Sequence, residues 1–258
     1  MNSPANPDPV VCKICQSPSP LFGVVDFSKS CLEGQGKRLN LIGVPVYYRR
    51  CTVCGFLFTT AFDSWTAEGF KQHIYNDDYI VVDPDYVEIR PTNNAKAVGD
   101  LFQAHRSVLN ILDYGGGEGL FSRCLRERGF HAGTYDPFSA HHTEFPSGRY
   151  NLITSFEVME HVPDPESTVA TMVSMLQEGG VIFFSTLLQP GNIQEIGLNW
   201  WYAGPRNGHV SLYSPQALIR LFERHGMKVG SFTGGGTHIA YTEIPDFASH
   251  LKFFNWTF

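Results

Sequence analysis

The chain has 258 residues, of which 43% are hydrophobic, 17% charged and 14% aromatic, a composition that can bury a core and excludes a disordered chain. Nineteen Lys and Arg against 25 Asp and Glu give a net charge of -6, which argues against a nucleic-acid partner gripped through a broad basic face. No run reaches the ~18 apolar residues of a membrane span, and the start MNSPANPDPV lacks the regions of an export signal, so a cytoplasmic chain with no membrane partner is expected.

The first sixty residues stand apart. They carry Lys13, Lys29, Lys37, Arg38, Arg49 and Arg50 against Asp8, Asp26 and Glu33, a local excess of positive charge that leaves the remainder more acidic still. Four of the six cysteines form two pairs, Cys12-x-x-Cys15 and Cys51-x-x-Cys54. Each pair can present two thiolates from a tight turn, and the two together complete a tetrahedral zinc site. Four sulfurs leave no open position for water or substrate, so such a zinc is structural. Gly55 and the aromatics Tyr47, Tyr48, Phe56 and Phe58 suit a small zinc-ribbon-like module over residues 1–60. Cys31 and Cys124 fit neither pair and read as ordinary thiols.

Residues 61–105 form a connector with helix-like stretches at Ser64 to Gln72 and Ala95 to Gln103, separated by the aromatic and acidic run Ile74-Tyr-Asn-Asp-Asp-Tyr-Ile80. The connector is expected to cover the ligand site. From residue 106 to 258, short apolar strands alternate with amphipathic helices: Val108–Tyr114, Leu120–Arg128, Ala132–Tyr135, Leu152–Phe156, Glu166–Leu176, Val181–Leu187, Pro215–His225, Met227–Phe232 and His238–Glu243. This alternation predicts an α/β fold with a doubly wound, mainly parallel sheet and ligands beyond the carboxyl ends of its strands.

The first of these strands runs into Asp113-Tyr-Gly115-Gly-Gly117-Glu-Gly119 and then a helix. A glycine-rich turn before a helix amino terminus suits several ligands, a dinucleotide included. The spacing here is Asp-x-Gly-x-Gly-x-Gly, whereas the dinucleotide fingerprint wants Gly-x-Gly-x-x-Gly or Ala and meets Leu120 at its last position. Asp113 would repel a pyrophosphate and suits a cationic amino-acid moiety. Twenty-three residues later the strand Gly133-Thr-Tyr-Asp136 ends in a carboxylate placed to accept from ribose hydroxyls. A further strand leads into Phe156-Glu157-Val-Met-Glu160-His161-Val-Pro-Asp-Pro.

With DYGGGEG, TYDPF and FEVMEHVPDP in place, residues 106–258 resemble the class I S-adenosylmethionine-dependent methyltransferases. The resemblance implies a Rossmann-like sheet of seven strands. It also implies Asp113, Gly115, Gly117 and Gly119 around the methionine part of S-adenosylmethionine, Asp136 on the ribose, and Phe156 and Glu157 beside the sulfonium.

The segment from Leu187 to Ser214 is long and aperiodic, as loops over active sites often are. Trp200, Trp201 and Tyr202 offer flat walls for a sugar ring or planar metabolite, and Arg206 offers a charge. A zinc-binding amino terminus on this core is similar to the deoxysugar C-methyltransferases and related glycan-pathway enzymes, which implies a small-molecule substrate such as a nucleotide sugar or glycan. That family carries catalytic histidines at positions matching His161 and His209, the latter expected as general base near the ordinary imidazole pKa. Its loop reads Tyr-x-Glu-His where this chain has Arg206-Asn-Gly-His209. Glu157, Glu160 and His161 also resemble the acid-acid-histidine set that holds a divalent cation in ubiquinone-pathway O-methyltransferases. Two other function classes stay open at this point: an RNA or DNA methyltransferase using the basic zinc segment, and a non-catalytic cofactor-binding interaction protein.

Overall fold

A computed structural model describes residues 10–232 and 234–253. The two cysteine pairs sit on tight knuckles. Gln16 closes the first at φ 59, its amide on the Cys12 carbonyl at 3.0 Å, and Gly55 closes the second at φ 73, its amide on the Cys51 carbonyl at 3.2 Å. The chain forms β1 (Leu21–Asp26) and β2 (Pro45–Arg50) between the knuckles and β3 (Leu57–Thr59) after them, an antiparallel meander. Its fourth strand comes from far along the sequence: β8 (Ser211–Leu212) pairs with β3.

The connector holds α1 (Ala67–His73), the short α2 (Tyr79–Val82) and α3 (Ile89–Leu101). The last of these starts six residues before the predicted Ala95. Pro91 falls in its first turn, where a missing amide hydrogen costs nothing, so the helix runs through a stretch of poor helix formers.

The central sheet has the order β5 (His131–Tyr135), β4 (Asn110–Tyr114), β6 (Tyr150–Phe156), β7 (Leu176–Ser185), β10 (Thr237–Tyr241) and β9 (Lys228–Ser231). The first four are mutually parallel, and β10 runs antiparallel to both β7 and β9. Helices α4 (Leu120–Glu127), α5 (Pro165–Met175), the single-turn α6 (Ile193–Ile196) and α7 (Pro215–Glu223) fill the connections. Asp164 and Ser214 cap α5 and α7, accepting from the amides of Ser167 and Ala217 ahead of a proline at the first helical position.

Successive strand residues point to opposite faces. Ile111, Leu152, Val181, Phe183 and Ile239 therefore pack on α3 and α4, while Leu112, Ile153, Ile182, Phe184 and Ala240 pack on α5 and α7. The doubly wound α/β class matches the expectation, but the described residues give six strands in this sheet and not seven. Only residues 136–149 separate β5 from β6. That span holds Pro137 and Pro146 and is too short for another strand with its own crossover.

Beyond the carboxyl ends of β4, β6 and β7 lies a third core. It joins Leu32, Tyr48, Leu57, Phe62, Phe70 and Tyr79 of the amino-terminal part to Trp200, Tyr202, Val210 and Leu212 of the segment after β7. The Ser214 hydroxyl donates to the Cys54 carbonyl at 2.5 Å, which fastens the second knuckle to the start of α7.

Candidate active site

The acid–glycine turn closes β4. Gly115, Gly117 and Gly119 all have positive φ, at 76°, 54° and 75°, a region costly for any residue with a Cβ. Space adds a second constraint, since a Cβ on Gly115 would lie 2.4 Å from Val158 Cγ2 and one on Gly116 only 1.9 Å from Asp113 Oδ2. Asp113 is buried. Its Oδ1 accepts from Thr154 Oγ1 at 3.1 Å, and its Oδ2 has no hydrogen-bond partner among the described residues. Burial, with Asp136 nearby, pushes its carboxyl up to about 7. Asp136 faces the same turn: it accepts from Gly117 N at 2.8 Å and Phe138 N at 2.7 Å.

At the end of β6, Phe156 leans on Phe121 and Phe183, with ring centroids 5.5 and 5.9 Å away. Glu157 takes φ 56, a conformation that non-glycine residues adopt where the surroundings impose it. Its amide donates to Ser185 Oγ at 2.9 Å, Ser185 Oγ donates to its Oε1 at 3.0 Å, and Arg90 of α3 donates to its Oε2 at 3.1 Å. Arg90 also pairs with Asp83. Sequence reasoning gave Arg90 no role, because nothing in α3 marks one arginine as facing β6.

One turn further along is a buried polar cluster. Glu160 is fully buried, and Tyr202 OH donates to its Oε1 at 2.5 Å. Burial, reinforced by the Glu157 charge, pushes the Glu160 carboxyl up to about 8. Neither Glu160 Oε2 nor Thr186 Oγ1 has a hydrogen-bond partner among the described residues. The His161 and His209 rings meet edge to face at 4.9 Å. His209 Nδ1 lies 2.8 Å from the Tyr202 carbonyl; a carbonyl only accepts, so Nδ1 carries the proton and Nε2 is bare. Burial lowers His209 to about 4 and holds His161 well below the usual imidazole value, so both rings are neutral at pH 7. His161 Nδ1 lies 3.1 Å from Tyr75 OH. Gly208, at φ 86, lets the loop approach, since a Cβ there would come within 3.0 Å of His161 Nδ1 and 3.1 Å of Tyr75 OH. Tyr75 had only its place in an aromatic connector as a signal.

The other loop residues divide. Trp200 packs into the third core and Arg206 donates to the Ile74 carbonyl at 3.0 Å and Asn76 Oδ1 at 3.2 Å, so both fasten the loop to the connector. Trp201 is 38% exposed and is the open aromatic wall of the three expected. Cys31 Sγ sits 3.5 Å from His209 Nδ1, and burial raises its thiol far above the reactive range.

The four cysteine sulfurs converge, with Cys12–Cys54 and Cys15–Cys54 at 3.6 Å and Cys15–Cys51 at 3.4 Å. Sulfurs at 2.3 Å from a tetrahedral zinc would be about 3.8 Å apart, close to what these side chains already make. Amides of Ile14, Val53 and Cys54 point at the Cys12 and Cys51 sulfurs from 3.4 Å, which favours thiolate ligands.

A sheet of this order with an acid–glycine turn at its first carboxyl end defines a nucleotide-type cofactor fold. The family model for the methyltransferase domain matches residues 86–231, and the chain belongs to that family. Among curated proteins it is similar to the ubiquinone biosynthesis O-methyltransferase of Aromatoleum aromaticum, 40% identical over 58 residues, covering 22% of this chain and 23% of that one. It is also similar to that of Escherichia coli, 42% identical over 50 residues, covering 19% and 21%. The chain therefore spans less than a quarter of the length of these relatives. Among solved structures, it is similar to a magnesium protoporphyrin IX methyltransferase from Synechocystis with S-adenosylhomocysteine bound (14% identity, TM-score 0.46, 70% and 97% covered). Another is an amino pentose methyltransferase from Micromonospora echinaspora (15%, 0.45, 66% and 98%).

Proposed function

We propose that this protein transfers the methyl group of S-adenosylmethionine to a small-molecule acceptor, a sugar or glycan precursor, with zinc on Cys12, Cys15, Cys51 and Cys54 as a structural ion. The observation that carries the reading is Asp113. A buried carboxylate with one unpaired oxygen, against a turn that excludes side chains, is stabilised by a cationic group entering beside it, and the methionine ammonium is such a group. Asp136 would exchange its backbone partners for ribose hydroxyls. Glu157 and Phe156 would stand beside the sulfonium.

Transfer to an oxygen or an enolisable carbon needs a lone pair to take the acceptor proton, and the bare His209 Nε2 supports that role; His161 beside it is the second candidate. Trp201 supports a ring-shaped acceptor. Labelled S-adenosylmethionine offered nucleotide sugars in parallel with catechols tests the reading. Label on the sugar is expected; label on the catechol alone would overturn the sugar assignment, and no cofactor binding by calorimetry would overturn methyl transfer itself.

A further inference from the structure

We infer that Glu160, His161 and His209 form a site for one divalent transition-metal ion, separate from the cysteine cluster. One ligand atom from each of the three lies within 4.8 Å of the other two. Glu160 is fully buried and its Oε2 has no hydrogen-bond partner among the described residues, so the carboxyl that stands with the two imidazoles keeps one oxygen available to an ion.

Each of the three is also held from behind, as metal ligands are. The Tyr202 carbonyl accepts from His209 Nδ1 at 2.8 Å, which places the proton there and leaves the Nε2 lone pair free to bind an ion. Tyr75 OH engages His161 Nδ1 at 3.1 Å, and where it accepts, it leaves that ring's Nε2 as the ligand atom. Tyr202 OH fixes Glu160 Oε1 at 2.5 Å and leaves Oε2 to bind. Gly208 has no Cβ to push the His161 ring away.

The set differs from the acid-acid-histidine trio of the sequence. Glu157 has both oxygens engaged, by Ser185 and Arg90, and stands outside the group, while His209 enters it from the loop after β7. That exchange changes the metal. Two carboxylates with a single imidazole lean toward Mg²⁺, whereas two imidazoles and one carboxylate suit Mn²⁺, Fe²⁺, Co²⁺ or Zn²⁺. Three protein ligands leave open positions that a hydroxyl of an acceptor could fill. In the loaded protein His209 is a ligand and no longer a free base. The inference does not rest on methyl transfer.

The experiment uses the full chain after treatment with a chelating resin, titrated with Mn²⁺, which thiolates bind poorly, while the free-ion paramagnetic resonance signal is followed. One Mn²⁺ per chain is expected, and a hundredfold excess of Mg²⁺ should not displace it. Binding should weaken at least tenfold in Glu160→Gln and in His209→Asn and stay within twofold in Glu157→Gln. The Asn amide can still donate to the Tyr202 carbonyl but lacks Nε2, so an unchanged melting curve for that variant separates loss of a ligand from loss of fold. Full binding by folded His209→Asn, loss in Glu157→Gln alone, displacement by Mg²⁺, or no bound Mn²⁺ would each overturn the site. Mn²⁺ bound without any S-adenosylmethionine affinity would sink methyl transfer and leave the site standing.

Discussion

The acid–glycine turn and the histidine cluster stand at the carboxyl ends of neighbouring strands, β4 and β6, yet they are assembled in opposite ways. The turn is a single segment from Asp113 to Gly119, with Asp136 added from β5. Its shape follows from backbone angles that only glycine adopts cheaply. The cluster draws Tyr75 from the connector, Glu160 and His161 from the end of β6, and Tyr202 and His209 from the loop before β8. Its shape depends on three packed elements staying together. A local site therefore survives damage elsewhere that a composite site does not.

The largest effect concerns what holds the composite side in place. Removing metal from the cysteine cluster, or making Cys12→Ser with Cys51→Ser, removes a contribution on the order of 10 kcal/mol if zinc is bound there. Hydrogen exchange should then show β1, β2 and β3 losing protection while β4, β6 and β7 keep most of theirs. Equal loss in both sheets would mean that the two regions are one cooperative unit.

Next comes the acceptor side. In the metal-free protein, where His209 Nε2 is bare, His209→Ala should lower kcat by about 10²–10⁴-fold while S-adenosylmethionine affinity changes little. Since burial holds His209 at about 4, the acid side of the rate profile should be flat from roughly pH 5.5 to 8 and not rise near the ordinary imidazole value. A rise near 6.5 would show that the ring is far more hydrated than its packing implies. A parallel loss of cofactor affinity would break the independence of the two ends.

On the cofactor side, Asp136→Ala should weaken S-adenosylmethionine by about 1.5–3 kcal/mol, the ordinary worth of hydrogen bonds to a charged group. Calorimetry that finds no change would place the ribose elsewhere.

The smallest effect sharpens the role of Asp113. Its folded value of about 7 lies above its ordinary 3.8, so between those values the folded protein holds more protons than the unfolded chain. Its contribution to stability is full below about pH 4 and is lost as pH rises through 7. A cationic ligand beside it reverses the shift and releases a proton. Cofactor affinity should thus rise from pH 6 to 8 by at most about tenfold per unit, and binding enthalpies near pH 7 should depend on the buffer. Buffer-independent enthalpies that stay the same in Asp113→Asn would remove the carboxyl from the binding event.

Much of the fold was legible because its signals are short in range. The strand and helix order from Val108 onward follows apolar periodicity and capping residues such as Asp164 and Ser214, and the observed boundaries fall within a few residues of it, apart from β7, which starts at Leu176. The seventh strand failed because the expectation came from family likeness, and residues 136–149 are too few to supply it. In the candidate site, Asp113, the glycines and Asp136 lie close in sequence and could be paired by spacing. Arg206 and Trp200 looked available to a substrate, but the partners of Arg206, Ile74 and Asn76, lie 132 and 130 residues away, and Trp200 packs into the core that also holds Leu32.

The sequence by itself determined the parallel sheet, the acid–glycine turn and the cysteine knuckles, since each follows from backbone geometry or thiol spacing within a short stretch. Only the tertiary structure decided that Glu157 turns to Arg90 while Glu160 faces two imidazoles. Those two acids are three residues apart in one motif, and nothing local distinguishes them. The difference arises because α3 brings a guanidinium to one, while the loop before β8 seals the other from water, pushing its carboxyl up to about 8 and making an unpaired oxygen there costly.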